Sequence, residues 1–178
     1  VEVPHHICRT CVYRLRPNIV LPHVQMLDPE IQALVGNSAR RVLDIGCATG
    51  RLGCEIKNKV SAEVWGIEKN INAANIAKKS LNKVYVGDVN DILPLLPHAY
   101  FDTIILADVI EHLINPWDIL KNCLSILENS GKVIISIPNV RHWSVIRGLI
   151  EGRWEYENKG LLDRTHLRFF TRSNIPKL

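Results

Sequence analysis

Residues 41–53 read Arg41-Val42-Leu43-Asp44-Ile45-Gly46-Cys47-Ala48-Thr49-Gly50-Arg51-Leu52-Gly53, and this stretch decides the fold. Val42, Leu43 and Ile45 make an apolar run long enough for a buried strand and too short for a helix. Gly46 and Gly50 then break it. Glycine lets the backbone turn tightly and lets a ligand come close, because no Cβ stands in the way. Beyond Gly50 the pattern turns helical, with Leu52, Ile56 and Val60 at helical spacing. Strand, glycine turn and helix in this order is how an α/β sheet binds a nucleotide-like ligand. A dinucleotide fingerprint has the spacing G-x-G-x-x-G; here Ala48 stands where the second of those glycines would be, and Asp44 precedes the first.

This D-x-G-x-x-x-G run resembles motif I of the class I S-adenosylmethionine (SAM) methyltransferases. The resemblance implies that Gly46, Cys47 and Gly50 lie against the amino-acid part of SAM and that Asp44 holds its ammonium group. It also implies a Rossmann-like α/β domain with a parallel sheet of order 3-2-1-4-5, counted from the strand at Arg41. A short helix opening at Asp28-Pro29, with Ile31, Leu34 and Val35 on its apolar face, would lie beside the cofactor pocket.

The second strand runs from Glu63 to Ile67 and ends on Glu68, followed by Lys69. A carboxylate about 20 residues past the glycine turn is where such folds place an acceptor for the ribose hydroxyls. A helix with Ile71, Ala74, Ala77 and Leu81 on its inner side leads to the third strand, Lys83 to Val86. Gly87, Asp88 and Val89 follow. In the resembled family an Asp here accepts the adenine amino group and the next N–H serves a ring nitrogen; Asp91 is a rival for Asp88, and a plain Asp turn is the other reading.

Phe101 to Asp108 is a continuous apolar run fit for a central buried strand. Ala107 and Asp108 at its end are assigned to the cofactor pocket. Glu111-His112-Leu113 then resembles the E-H-L of small-molecule methyltransferases. In ubiquinone-biosynthesis O-methyltransferases the motif is E-x-x-E-H and is implicated in metal binding. Asp108 replaces the first Glu here, and no metal is assigned. His112 stands at the carboxyl end of a central strand, where such sheets place their ligands, and histidine is a residue type suited to accept a proton. A helix from Asn115-Pro116, with Leu120, Cys123, Leu124 and Leu127 inward, leads to a fifth strand, Lys132 to Pro138. The next helix is expected to begin at Asn139, with Val140, Trp143, Ile146 and Ile150 at helical spacing as core or lid contacts, not a cofactor box.

Asp163 to Thr171 is similar to the D-x-T-H-x-R-x-F-T segment of a methyltransferase subgroup, where it overlies the acceptor pocket. His166 is thereby a second base candidate, and Arg164 and Arg168 are candidates for holding an acidic acceptor group. The family would continue with a two-strand hairpin after Thr171. That hairpin is missing here, so the fifth strand is expected to be an exposed edge, open to a partner or a second copy.

Residues 1–27 show no clear periodicity and are read as an N-terminal arm before a SAM-binding domain at 28–178. His5, His6, Cys8 and Cys11 form half of a zinc pattern; no second C-x-x-C follows, so zinc is the lesser reading and a surface arm the preferred one. With 47% hydrophobic and 22% charged residues, the 178-residue chain has the composition of one globular domain. No apolar run reaches the ~20 residues of a membrane span, and no signal-peptide pattern opens the chain. An odd set of five cysteines suits reduced thiols and a cytoplasmic setting. The net charge of +4 is mild and the basic residues are dispersed, which argues against nucleic acid. The expected function is methyl transfer from SAM to a small-molecule acceptor, a hydroxyl for preference. A non-catalytic SAM-binding module is the alternative, and a nicotinamide-linked oxidoreductase stands behind both.

Overall fold

A computed structural model describes residues 10–15, 20–22 and 28–175. Seven strands form one sheet: β1 (Thr10–Leu15), β2 (Val20–Pro22), β3 (Arg41–Ile45), β4 (Glu63–Glu68), β5 (Lys83–Val86), β6 (Phe101–Ala107) and β7 (Leu127–Pro138). The helices are α1 (Asp28–Val35), α2 (Arg51–Val60), α3 (Ile71–Ala77), α4 (Val89–Ile92), α5 (Pro116–Ile126) and α6 (Trp143–Ile150). The sheet order is β2-β1-β7-β6-β3-β4-β5, and the five strands from β7 to β5 are all parallel. Counted from β3, those five give the expected order 3-2-1-4-5.

The expected open edge is not there. β1 pairs antiparallel along β7 from Thr10–Pro138 to Leu15–Val133, and β2 pairs antiparallel with β1. A bare edge presents a row of unpaired N–H and C=O groups, and residues from the chain's own beginning satisfy them. So part of the segment expected to be an arm belongs to the sheet, and the β7 edge needs no second chain. His5, His6 and Cys8 lie outside the described residues.

Side chains alternate across a strand, so the core has two layers. Leu43, Ile45, Ile104 and Leu106 pack with Ile119, Leu120, Cys123 and Ile126 of α5 on one face. Val42, Val64, Ile105 and Ile134 pack with Ile31 and Val35 of α1 and Ile56 of α2 on the other. Asn70 caps α3 by accepting from the N–H groups of Asn72 and Ala73, and Asn115 caps α5 ahead of Pro116. Buried Asp102 ties the start of β3 to β6: one carboxylate oxygen accepts from Arg40 N and Arg41 N at 2.7 and 2.8 Å.

Three helix faces differ from expectation. In α3, Ala74 and Ala77 are buried, but Ile71 at the first position is exposed. In α5 the buried face is Ile119, Leu120, Cys123 and Ile126, and Leu124 faces water. The helix expected to open at Asn139 opens three residues later with His142 as its cap, and that shift rotates its face. Val145 is therefore its buried residue, while Trp143 and Ile150 are 45% and 78% exposed. β7 is assigned from Leu127, earlier than Lys132, with an irregular register where it opposes Phe101 and Thr103.

Candidate active site

The glycine turn is held from below. Gly46 N and Cys47 N both donate to the Ile67 carbonyl, at 2.8 and 3.1 Å. The Glu68 carboxylate accepts from Ala48 N at 2.8 Å and Asn70 N at 2.7 Å, so one side chain joins the turn to the start of α3. Gly46 has φ +73°, and a Cβ there would lie 2.6 Å from Val109 Cγ2. Gly50 has φ +78° as the cap of α2, and a Cβ there would lie 3.0 Å from Ala77 Cα. Both positions need glycine, for conformation and for space.

Two cavities open at the carboxyl end of the parallel strands. The larger, about 410 Å³, is lined by Gly46, Glu68, Lys69, Asp88, Val89, Asp108 and His112 among others. The smaller, about 310 Å³, is lined by Asp44, Gly46, Cys47, Ala107 and Asp108, with Thr49, Arg51 and Ser136. Gly46 and Asp108 belong to both walls, so the two are neighbouring compartments of one cleft. The sequence-derived cofactor residues are thus brought together, apart from Gly50, which shapes the turn beneath. Asp91 lines neither cavity, whereas its rival Asp88 does.

Asp88 also caps α4. It accepts from Asn90 N at 3.0 Å and from Asn90 Nδ2 at 2.7 Å, and it pairs with Lys69 Nζ at 3.3 Å. The Asn90 hydrogen bonds, with a smaller part from Lys69, hold its carboxyl below the usual range. Asp108 follows β6 with φ +52°, a conformation that Asp tolerates better than most residues. Its Oδ1 accepts from the Ser136 hydroxyl at 2.8 Å. Sequence reasoning missed Ser136 because a Ser inside an apolar strand carries no motif. The Cys47 thiol is pushed up to about 12, by burial first and then by Asp44 and Glu68. It stays protonated at neutral pH and is no nucleophile.

The two histidines differ. His112 ends the 3₁₀ turn Ile110–His112, is exposed and lines the larger cavity. His166 is 9% exposed and lines neither cavity; its ring stands against the His112 ring, centroids 4.8 Å apart. His166 Nδ1 lies 3.2 Å from the Leu161 carbonyl, which can only accept, so Nδ1 carries the hydrogen and Nε2 the lone pair. That Nε2 is 3.9 Å from Oε1 of Glu111. Burial first, then the neighbouring His112, lowers the proton affinity of His166. Arg168 donates to the Ile114 carbonyl and lies over the Trp117 ring at 4.8 Å, so this guanidinium straps the 163–171 segment down instead of standing free for an acceptor.

Glu111 is 1% exposed, and neither carboxylate oxygen has a hydrogen-bond partner among the described residues. Burial, then Asp108, raises its pKa from 4.5 to about 8. The folded state therefore keeps a proton that the unfolded state releases near its ordinary value. This contribution to stability is full below that value and is lost as pH rises towards 8. The His166 contribution has the opposite sign and lies below its ordinary 6.5, so between pH 6.5 and 8 the Glu111 slope stands apart from it. Glu111→Gln should remove up to about 1.4 kcal/mol of stability loss per pH unit across that window. Urea unfolding at half-unit steps checks this, and equal slopes in both proteins would refute it. Glu111, His112 and His166 bring ligand-type atoms within 4.8 Å of one another; no metal role is assigned to them.

Comparison with known proteins agrees with this geometry. Residues 23–178 match the methyltransferase-domain family. The chain belongs to that family, and its fold and glycine turn are those of the class I SAM-dependent methyltransferases. It is 30% identical over 142 residues to a ubiquinone biosynthesis O-methyltransferase of Bradyrhizobium diazoefficiens, covering 77% of this chain and 55% of that protein. It is 31% identical over 144 residues to the protein of the same name from Rhodopseudomonas palustris, covering 78% of this chain and 55% of the other. The chain thus spans about half the length of these relatives. Among solved structures, a SAM-dependent methyltransferase of Archaeoglobus fulgidus aligns with TM-score 0.64 at 23% identity, over 85% of this chain and 66% of that one. The plantazolicin methyltransferase, solved with S-adenosylhomocysteine (SAH), aligns at 0.64 and 23%, over 83% and 57%. No helix among the described residues is long and apolar enough to cross a membrane.

Proposed function

We propose that this domain transfers the methyl group of SAM to a hydroxyl of a small molecule. The observation that supports this best is one cleft at the strand ends that gathers Asp44, Glu68, Asp88, the glycine turn and His112. Bound SAM supplies a methyl already activated on a sulfonium, so the protein's part is positioning and removal of the acceptor proton. In this reading Glu68 takes the ribose hydroxyls, Asp88 the adenine amino group and the Val89 N–H a ring nitrogen. Lys69, through its pair with Asp88, fixes that carboxylate. Asp44 faces the ammonium group of the methionyl end, over a floor of Gly46 and Cys47 kept in shape by Gly50. Ala107 and Asp108 wall the junction of the two compartments.

His112 is the proton acceptor, because it is the histidine on the cavity wall. His166 acts from behind it. The relatives' name, ubiquinone biosynthesis O-methyltransferase, supports a hydroxyl over an amine. Reduced Cys47, Cys54 and Cys123 agree with a cytoplasmic place of action.

The test is incubation with methyl-labelled SAM and a panel of small catechols, phenols and amines. Label should appear in an O-methyl ether. Binding of SAM with no transfer to any acceptor would favour the non-catalytic module, and label on amines alone would overturn the hydroxyl reading.

A further inference from the structure

His112 Nδ1 has two neighbours, both from Thr165 and both at 3.2 Å: the main-chain carbonyl and the Oγ1 hydroxyl. The carbonyl can only accept. The hydroxyl has one hydrogen, and the Asp163 carboxylate takes it, with Thr165 Oγ1 donating to Oδ1 at 2.6 Å. The same oxygen accepts from Thr165 N at 2.8 Å. These two Thr165 donors hold the Asp163 carboxyl below its usual range, so it is ionised at neutral pH and acceptor-only. Both Thr165 oxygens therefore present lone pairs to His112 Nδ1. The ring nitrogen must be the donor, and the proton of neutral His112 sits on Nδ1.

We propose that Asp163 and Thr165 are positioning residues that set the tautomer of His112, leaving Nε2 with its lone pair for the acceptor proton. This rests on the reading of His112 as the base and adds how the chain prepares it. Which ring nitrogen carries the proton is fixed by the hydrogen bond the other makes. Free imidazole of a histidine side chain favours the Nε2–H form, which would offer a donor where the reaction needs an acceptor. Asp163 reverses that preference through one hydroxyl. It also explains why a hydroxyl and a carboxylate stand at this spacing in Asp163-Arg164-Thr165. Thr165 belongs to the loop that the Arg168 guanidinium straps to Ile114, so the pair is carried on a tethered segment. The other charged or titratable groups around the ring are His166, Glu111, Asp108 and Asp163 itself.

The experiment reads nitrogen chemical shifts of ¹⁵N-histidine-labelled protein at pH 8, with EDTA present so that the rings report protons alone. His112→Ala assigns the signal. Wild-type His112 should be mainly the Nδ1–H tautomer. Asp163→Ala frees the Thr165 hydroxyl to donate to Nδ1, and should move the population severalfold towards Nε2–H. Thr165→Ser keeps the hydroxyl and should keep the wild-type tautomer. An unchanged SAH-induced rise in melting temperature shows that each variant is folded. With an acceptor in hand, Asp163→Ala should lower kcat by about 10-fold or more with KM little changed. An Nε2–H tautomer in the wild type, or no change in Asp163→Ala, would overturn the proposal. An Nδ1–H wild type whose His112→Ala variant still transfers methyl at full rate would instead overturn the base assignment and leave the tautomer result standing.

Discussion

His112→Ala should slow methyl transfer by about 100- to 10,000-fold, the usual contribution of a positioned base, while SAH affinity changes by no more than about twofold. The expectation follows from place. His112 is the histidine on the wall of the 410 Å³ cavity, and its Nδ1 is anchored on Thr165 from the far side of the chain. The hydrogen-bond partner of its ring is Thr165 and neither the glycine turn nor Glu68, so removing it should leave the cofactor contacts in place. His166→Ala should behave differently. That residue is 9% exposed and its ring packs on His112 and Phe169, so its loss should lower both turnover and thermal stability. Single-turnover rates with labelled SAM, read beside SAH calorimetry, separate the two cases. Full turnover in His112→Ala would remove the base from the account.

Gly46→Ala should be the most damaging single methyl group added to the cleft. At φ +73° an L-residue costs about 1–2 kcal/mol in backbone conformation alone. The new Cβ would also stand 2.6 Å from Val109 Cγ2, and the turn is not free to retreat, because Gly46 N donates to the Ile67 carbonyl at 2.8 Å. Together these should cost about 2–4 kcal/mol, roughly 5–15 °C in Tm for a domain of this size. Because Gly46 walls both compartments, SAH affinity should fall by about 100-fold or more, taking the same strain as the measure. Gly152→Ala is the control. It has φ +74° but nothing within 4 Å of its Cβ, so it should lose only the conformational part and leave SAH binding intact. If the two variants melted together, the contact with Val109 would carry no weight.

The five parallel strands were legible because each reads as a short apolar run between turn residues, most plainly the central β3 and β6, which are buried on both faces. The glycine turn was legible for a related reason: positive φ and close packing both demand residues that nothing else replaces. The β1–β2 pair was not. Thr10–Leu15 is announced by no glycine turn, and its partner β7 begins only at Leu127, far along the chain. Helix α6 was placed one turn too early because Asn139 is a favoured cap by residue type, whereas in the fold Asn139 bridges to Phe170 and the His142 ring accepts from Ser144 N instead. Choosing His142 turned Trp143 and Ile150 outward and Val145 inward.

At the site, the acidic residues and His112 were readable from order and spacing along the chain. What joins them was not. The approach of Thr165 to His112, and of His166 to Glu111, brings together two segments with α5, β7 and α6 between them in the chain. No local pattern encodes such a contact. The sequence also could not show that Arg168 is occupied by the Ile114 carbonyl and the Trp117 ring.

Isothermal titration of the folded chain with SAH, and separately with NAD, is the most direct measurement of the central claim. One equivalent of SAH should bind with measurable heat and NAD should give none; Glu68→Ala, which removes the carboxylate beneath Ala48, should weaken the SAH signal severely. No heat with SAH, or equal binding of NAD, would contradict the assignment of this cleft to an adenosyl-sulfonium cofactor.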